Sequence, residues 1–135
     1  LYATPGGRVR AFLRTSQLED RLVTAVSDDA GHSWRRWQVR EPVGHPYHPC
    51  RLPDGRVLLV YGHRHAPYGI RARVLEPECG DIDRAPESII RDDGPHGDLG
   101  YPWATVLADG RVLVVYYFTA PDSVRYIGGS VLEIP

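Results

Sequence analysis

The residues best equipped for chemistry are an acid, two imidazoles and two guanidiniums, gathered in stretches rich in turn-formers. Asp98 precedes Leu-Gly-Tyr-Pro and is a candidate general acid or base. His63 and His65 alternate at the end of an apolar run, so both side chains point to one side and suit proton transfer. Arg64 and Arg71 offer planar forks that bind carboxylates through two parallel hydrogen bonds. His48, Tyr68 and Tyr101 add hydrogen-bonding and stacking surfaces near them. Each type also has a purely structural use: a turn-capping Asp, an ordinary salt bridge, a core Tyr. The histidines show no third ligand for a metal pair, and neither metal nor cofactor is expected.

These residues need a scaffold, and the chain supplies one by repetition. Residues 52–61 read Leu-Pro-Asp-Gly-Arg-Val-Leu-Leu-Val-Tyr, and residues 107–116 read Leu-Ala-Asp-Gly-Arg-Val-Leu-Val-Val-Tyr. Asp-Gly accepts the positive φ of a hairpin turn, and the run after it suits a buried strand. A weaker copy begins at Gly6-Gly7-Arg8-Val9. Counted between Arg8, Arg56 and Arg111, the spacings are roughly 48 and 55 residues, the period of a propeller blade.

The patterning predicts strands over 8–15, 21–27 and 37–39 in a first unit. It predicts 47–52, 56–61, 69–75 and 88–90 in a second, and 103–107, 111–118 and 126–134 in a third. No segment keeps a helical period. The expected fold is all-β: about three four-stranded antiparallel β-propeller blades, covering 1–44, 45–98 and 99–135. A sandwich is the alternative.

Composition sets outer bounds. The net charge of −1 excludes a nucleic-acid partner held by charge. No apolar stretch approaches a membrane span, and no signal-peptide pattern opens the chain. Lys, Asn and Met are absent, which reads as codon bias and lowers the weight of any single Arg. Without Met, Leu1 is not expected to be an initiation site. About three blades leave a ring open, so the chain is expected to be a C-terminal portion of a larger propeller or to close by association into an oligomer. Cys50 and Cys79 are expected to be free thiols.

One further motif is specific. Ser27-x-Asp29-x-Gly31-x-Ser33-Trp34 matches the Asp-box, S/T-x-D-x-G-x-S/T-W. Ser27 and Asp29 can bind nearby amides, Gly31 can take an unusual backbone angle, and Trp34 can pack under the turn. The motif is read as structural. With the two Asp-Gly phrases and Asp98-Leu99-Gly100-Tyr101-Pro102, the chain resembles the sialidase-like, BNR-repeat β-propeller superfamily from about Gly6 to Ile134.

That resemblance implies a six-bladed parent fold, a carbohydrate (glycan) ligand and a secreted or periplasmic setting. It implies an exo-acting glycoside hydrolase that removes a terminal, acidic or neutral sugar. Asp98, His63 and His65 are then the catalytic candidates. His48, Arg64, Tyr68, Arg71 and Tyr101 are the substrate-binding candidates. In such enzymes an Arg-Ile-Pro motif lies on an inner strand. Here Arg51-Leu52-Pro53 runs straight into a turn, so the arginine's role is not carried over. A non-catalytic carbohydrate- or protein-binding propeller and an inactive truncated remnant are the alternatives.

Overall fold

The computed structural model describes residues 1–135, and every regular element is a strand. The first sheet runs β1 (Tyr2–Ala3), β2 (Val9–Leu13), β3 (Arg21–Ser27) and β4 (Gln38–Val43). The second runs β5 (Tyr47–Arg51), β6 (Val57–His63), β7 (Tyr68–Leu75) and β8 (Glu87–Gly94). The third holds β9 (Gly100–Val106), β10 (Val112–Thr119) and β11 (Arg125–Leu132). Within each sheet, strands follow chain order and pair antiparallel. The third sheet has the three strands that the patterning predicts, one fewer than the four of an expected blade. The short β1 was not anticipated from the sequence, because two residues carry no period.

The repeated phrase folds the same way each time. Leu52 N–H donates to Arg56 O at 2.8 Å and Gly55 N–H to Leu52 O at 3.0 Å. Leu107 and Gly110 repeat this with Arg111 O at 2.7 Å and Leu107 O at 3.0 Å. Thr4 and Gly7 do so at 2.8 and 3.0 Å, so the weak first copy is a structural equivalent. Gly55 and Gly110 sit at φ 91° and 86°, which side chains rarely adopt. Asp54 and Asp109 each accept the amide and the Nε–H of the arginine two residues on. The Arg of the phrase is thereby held in place by its own turn.

β6 is buried on both faces, and this organises the molecule. Val57, Leu59 and Tyr61 point toward the first sheet and share a core with Tyr2 and Leu22 of that sheet, Leu75 of β7 and Ile82 of the β7–β8 connection. Leu58 and Val60 point the other way, onto Ala104, Val112, Val114, Tyr116 and Phe118 of the third sheet. A strand covered on both sides reads as a continuous apolar run instead of an alternating one. At roughly 1.5–3 kcal/mol per fully buried large apolar side chain, this strand supplies much of the gross stabilisation. Cys50 and Cys79 are free and lie in different cores.

The Asp-box turn between β3 and β4 forms as its residue types require. Ser27 Oγ accepts from Gly31 N–H at 2.8 Å, and Asp29 Oδ1 accepts from Ser33 N–H at 2.8 Å. Trp34 departs from expectation: it lies on the turn and donates Nε1–H to Gly31 O at 3.2 Å, but its ring stays exposed rather than packed beneath. The Ser33 hydroxyl, the Ser33 amide and the Ser27 hydroxyl hold the Asp29 carboxyl down at about 2.

Two outcomes follow. Leu59→Ala leaves a cavity between tightly packed sheets and lowers stability by about 2–5 kcal/mol in urea denaturation; a loss under about 1 kcal/mol contradicts the two-sided burial. A depressed carboxyl stabilises the fold above its ordinary value near 3.8 and ceases to do so as pH falls toward 2. Urea midpoints measured from pH 5 to pH 2 therefore fall less steeply in Asp29→Asn than in the parent; parallel slopes would remove the role assigned to Asp29.

Candidate functional site

Successive connections in an antiparallel meander alternate between its two ends. The Asp-Gly turns and the Asp-box therefore share one end of the sheets. The β2–β3, β6–β7 and β10–β11 loops and the links between sheets share the other. The side chains that chemistry needs converge at this second end.

Backbone proximity brings them together. Gly62 near the end of β6 and Gly100 at the start of β9 touch: a Cβ on Gly62 would lie 3.0 Å from Gly100 Cα and 3.0 Å from His45 O. Gly100 also takes φ 124°, and Tyr101 follows in the left-handed region at φ 48°. Only residues without side chains allow strands of neighbouring sheets this close. The contact sets Arg64, just after Gly62, beside Tyr101.

The first group centres on the Tyr117 hydroxyl. It donates to Asp98 Oδ1 at 2.8 Å and accepts from Arg64 Nη2 at 3.2 Å. Arg64 is fixed by a bond from Nε to Leu99 O at 2.9 Å, and its guanidinium lies 5.5 Å from the Tyr101 ring centroid. Arg14 Nη1 donates to the Tyr101 hydroxyl at 3.1 Å. Asp98 Oδ2 accepts from Arg125 Nε at 2.6 Å, and Thr119 Oγ1 donates to the Asp98 carbonyl at 2.5 Å. The Tyr101 and Tyr117 rings stand 5.9 Å apart.

The second group centres on Asp20, in the β2–β3 connection. Its Oδ2 lies 3.0 Å from His65 Nε2 and its Oδ1 3.4 Å from His45 Nε2. The His63 and His65 ring centroids are 5.9 Å apart, as alternation on one strand end requires. A hydrogen bond of 3.2 Å from His63 Nδ1 to Val43 O fixes that nitrogen as the donor. His45 is buried, and its Nδ1 has no partner. Burial first, then the Arg64 charge, pushes the His45 pKa below its ordinary value against the pull of Asp20. Arg64 thus acts on both groups. The carboxylate and imidazoles do not converge as a metal-ligand set.

The electrostatics separate roles. The Tyr117 bond, then the Arg125 bond, holds the Asp98 carboxyl below the usual carboxylate range. Burial, then the bond to Asp98, raises the Tyr117 phenol. At neutral pH the pair is a protonated phenol donating to a carboxylate, so Asp98 has no proton to give and is open only to accepting one.

The sequence candidates divide accordingly. Asp98, His63, Arg64, His65 and Tyr101 lie in these groups. Arg71 does not: it faces the first sheet, buried, with Nη1 on Arg91 O at 2.7 Å and Nη2 on Pro67 O at 3.0 Å. Alternation along β7 turned it into the sheet interface. His48 also lies elsewhere, wedged between the second and third sheets with Nε2 on Ala104 O at 3.2 Å and its ring 4.0 Å from Trp103. Tyr68 packs on the same intersheet core and against Gly94 and Gly97. Ser27, Asp29, Gly31 and Trp34 form the Asp-box turn at the opposite end. Sequence reasoning missed Arg14, Asp20 and Arg125 as site residues. The loop topology carried the signal for all three: Arg125 closes the β10–β11 loop of the third unit, and Arg14 and Asp20 follow once the rule is extended to the first.

No family model and no curated protein matches the chain. It is similar to a crystal structure of a protein of unknown function from Dyadobacter fermentans DSM 18053, with a TM-score of 0.95 and 53% identity. The match covers 99% of this chain and 37% of that one, so this chain spans just over a third of its neighbour's length.

Removing the phenol should release the carboxylate. In Tyr117→Phe, the Asp98 carboxyl titrates closer to its ordinary value of 3.8 than in the parent, read by carbon-detected NMR. An unshifted titration means that Arg125 alone holds it.

Proposed function

We propose that the chain is part of a sialidase-like β-propeller whose loop end hydrolyses a terminal, acidic sugar from a glycan. The observation that carries this reading is the Tyr117 hydroxyl, held between the Asp98 carboxylate and the Arg64 guanidinium. Glycosidases of this type are an exception to the two-carboxylate scheme and use Tyr as nucleophile. Asp98 is placed to accept the phenolic proton as Tyr117 Oη bonds to the anomeric carbon. The glycosidic C–O bond then breaks, and the departing oxygen needs a proton. The Asp20–His65–His45 group is the donor we assign to that step. Water then attacks the anomeric carbon and displaces Tyr117, which recovers its proton from Asp98, while the water's own proton returns to the Asp20–His65–His45 group.

Two guanidiniums bond this pair, from Arg64 and Arg125, and a third, from Arg14, bonds the neighbouring Tyr101 hydroxyl. They suit a substrate carboxylate better than a neutral ring, because a guanidinium fork binds a carboxylate through two charge-assisted bonds. The exposed Tyr101 ring is a stacking surface for the sugar's apolar face. A fold assembled from several sheets of this kind, closed into a ring, would place these loops around a common axis.

One observation favours a second reading. Both Asp98 oxygens are already engaged, by Tyr117 and by Arg125. A site so satisfied also suits a carbohydrate-binding module that holds its ligand without cleaving it.

A panel of aryl glycosides, including sialosides and uronides, separates the two. Turnover of an acidic member, reduced about 100-fold or more by Tyr117→Phe and by Asp98→Asn, is the expected result. Saturable binding of the same sugars without turnover assigns the binding module instead. Neither turnover nor binding across the panel removes the carbohydrate reading.

A further inference from the structure

We propose that the arginine-lined cleft on the first sheet, at the Asp-box end, binds an oxyanion group of the sulfate or phosphate ester class. This does not rest on the loop-end reading, because none of the residues involved belongs to that site. The cleft has a volume of about 340 Å³ and is lined by Arg8, Arg10, Arg35, Arg36 and Arg40, with no acidic residue in its wall.

The sequence builds it from one face of one sheet. Arg10 stands opposite Val26, and Thr24 opposite Gln38. Arg40 lies two residues beyond Gln38, so it shares that face. The Asp-box then delivers Arg35 and Arg36 over the cleft's end, with Arg35 N–H anchored on Val26 O at 2.8 Å. Thr24 and Gln38 give the wall neutral polar groups, and Ala25 and Val26 contribute apolar surface.

The charges do not balance locally. Asp28 divides one carboxylate between Arg8, at 3.2 Å, and Arg35, at 2.6 Å. Arg40 pairs with Asp83 of the β7–β8 connection at 3.1 Å. Arg10 and Arg36 form no ion pair. The carboxylate of Glu76 accepts from the Glu78 and Gly80 amides, and that of Glu78 has Oε1 on the Gly6 amide at 2.6 Å and Oε2 without a partner. Arg10 is more than nine-tenths buried; Nη2 donates to Glu78 O at 3.0 Å, while Nε finds no partner. Burial, then the charge of Arg40, lowers its pKa against the opposing pull of Cys79, Glu76 and Glu78. Burying a guanidinium with an unpaired N–H is unfavourable unless something compensates it. A tetrahedral oxyanion offers several acceptors to converging forks, and the volume admits a small sugar ester.

The test uses the protein at fixed ionic strength, with chloride as the reference. Inorganic sulfate, inorganic phosphate and glucosamine 6-sulfate are titrated by NMR, beside unsulfated glucosamine. Saturable one-site shifts are expected at residues 8–10, 24–28 and 35–40 with the anions and not with glucosamine. A tighter fit for the sugar sulfate than for the free ions points to an esterified glycan as the source; equal affinities point to the free ion. Arg36→Gln, a surface change with no bond to lose, weakens binding about tenfold. Arg36→Lys falls between, because it keeps the charge and loses the fork. Tyr117→Phe binds like the parent. Shifts that do not saturate, that chloride reproduces, or that persist unchanged in Arg36→Gln overturn the proposal.

Discussion

The architecture depends on one strand that has no solvent side. β6 presents Val57, Leu59 and Tyr61 to one neighbouring sheet and Leu58 and Val60 to the other, and all five are buried. A sheet alone must bury one face to be stable; the middle sheet buries two, and so ties the outer sheets into one body. Even its polar groups serve this packing. Tyr61 is buried, yet its hydroxyl donates to Glu87 Oε2 at 2.5 Å and accepts from Arg73 Nε at 3.2 Å. Burial of the ring is then compatible with a satisfied hydroxyl, as a buried Tyr needs.

The candidate site inherits its geometry from this arrangement. Where β6 leaves the core, Gly62 and Gly100 replace side-chain packing with backbone contact. Residues on either side of that contact come from two sheets, yet they behave as one polar network. Arg64 bonds to the Tyr117 hydroxyl, sits over the Tyr101 ring and lowers the His45 pKa. Sequence separations are large: Arg14 and Tyr101 are 87 residues apart in the chain. Functional groups carried by loops on a rigid frame are the common pattern, and here the frame is the pair of intersheet cores.

Strand positions were legible because they rest on local periodicity and on Asp-Gly turns whose hydrogen bonds close within five residues. The Asp-box was legible for the same reason, since Ser27, Asp29, Gly31 and Ser33 bond one another. Asp98, His63, Arg64, His65 and Tyr101 were legible by residue type in turn-rich stretches, which the alternation of connections in a meander brings to one end. The failures came where the third dimension decides. Arg71 and Ile70 are neighbours in sequence, but pleating sends them toward different sheets, and nothing in an Arg codes for which. His48 belongs to a strand whose side chains serve intersheet packing. Asp20 looked like an ordinary turn residue, because its two histidine partners are brought in from elsewhere in the chain.

Gly62 sets how far apart the second and third sheets stand at the loop end. A Cβ there would lie 3.0 Å from Gly100 Cα and 3.0 Å from His45 O, and both neighbours are backbone with no rotamer to yield. Any side chain at position 62 would therefore act as a wedge, widening the gap at one end of the sheets while the cores hold the other.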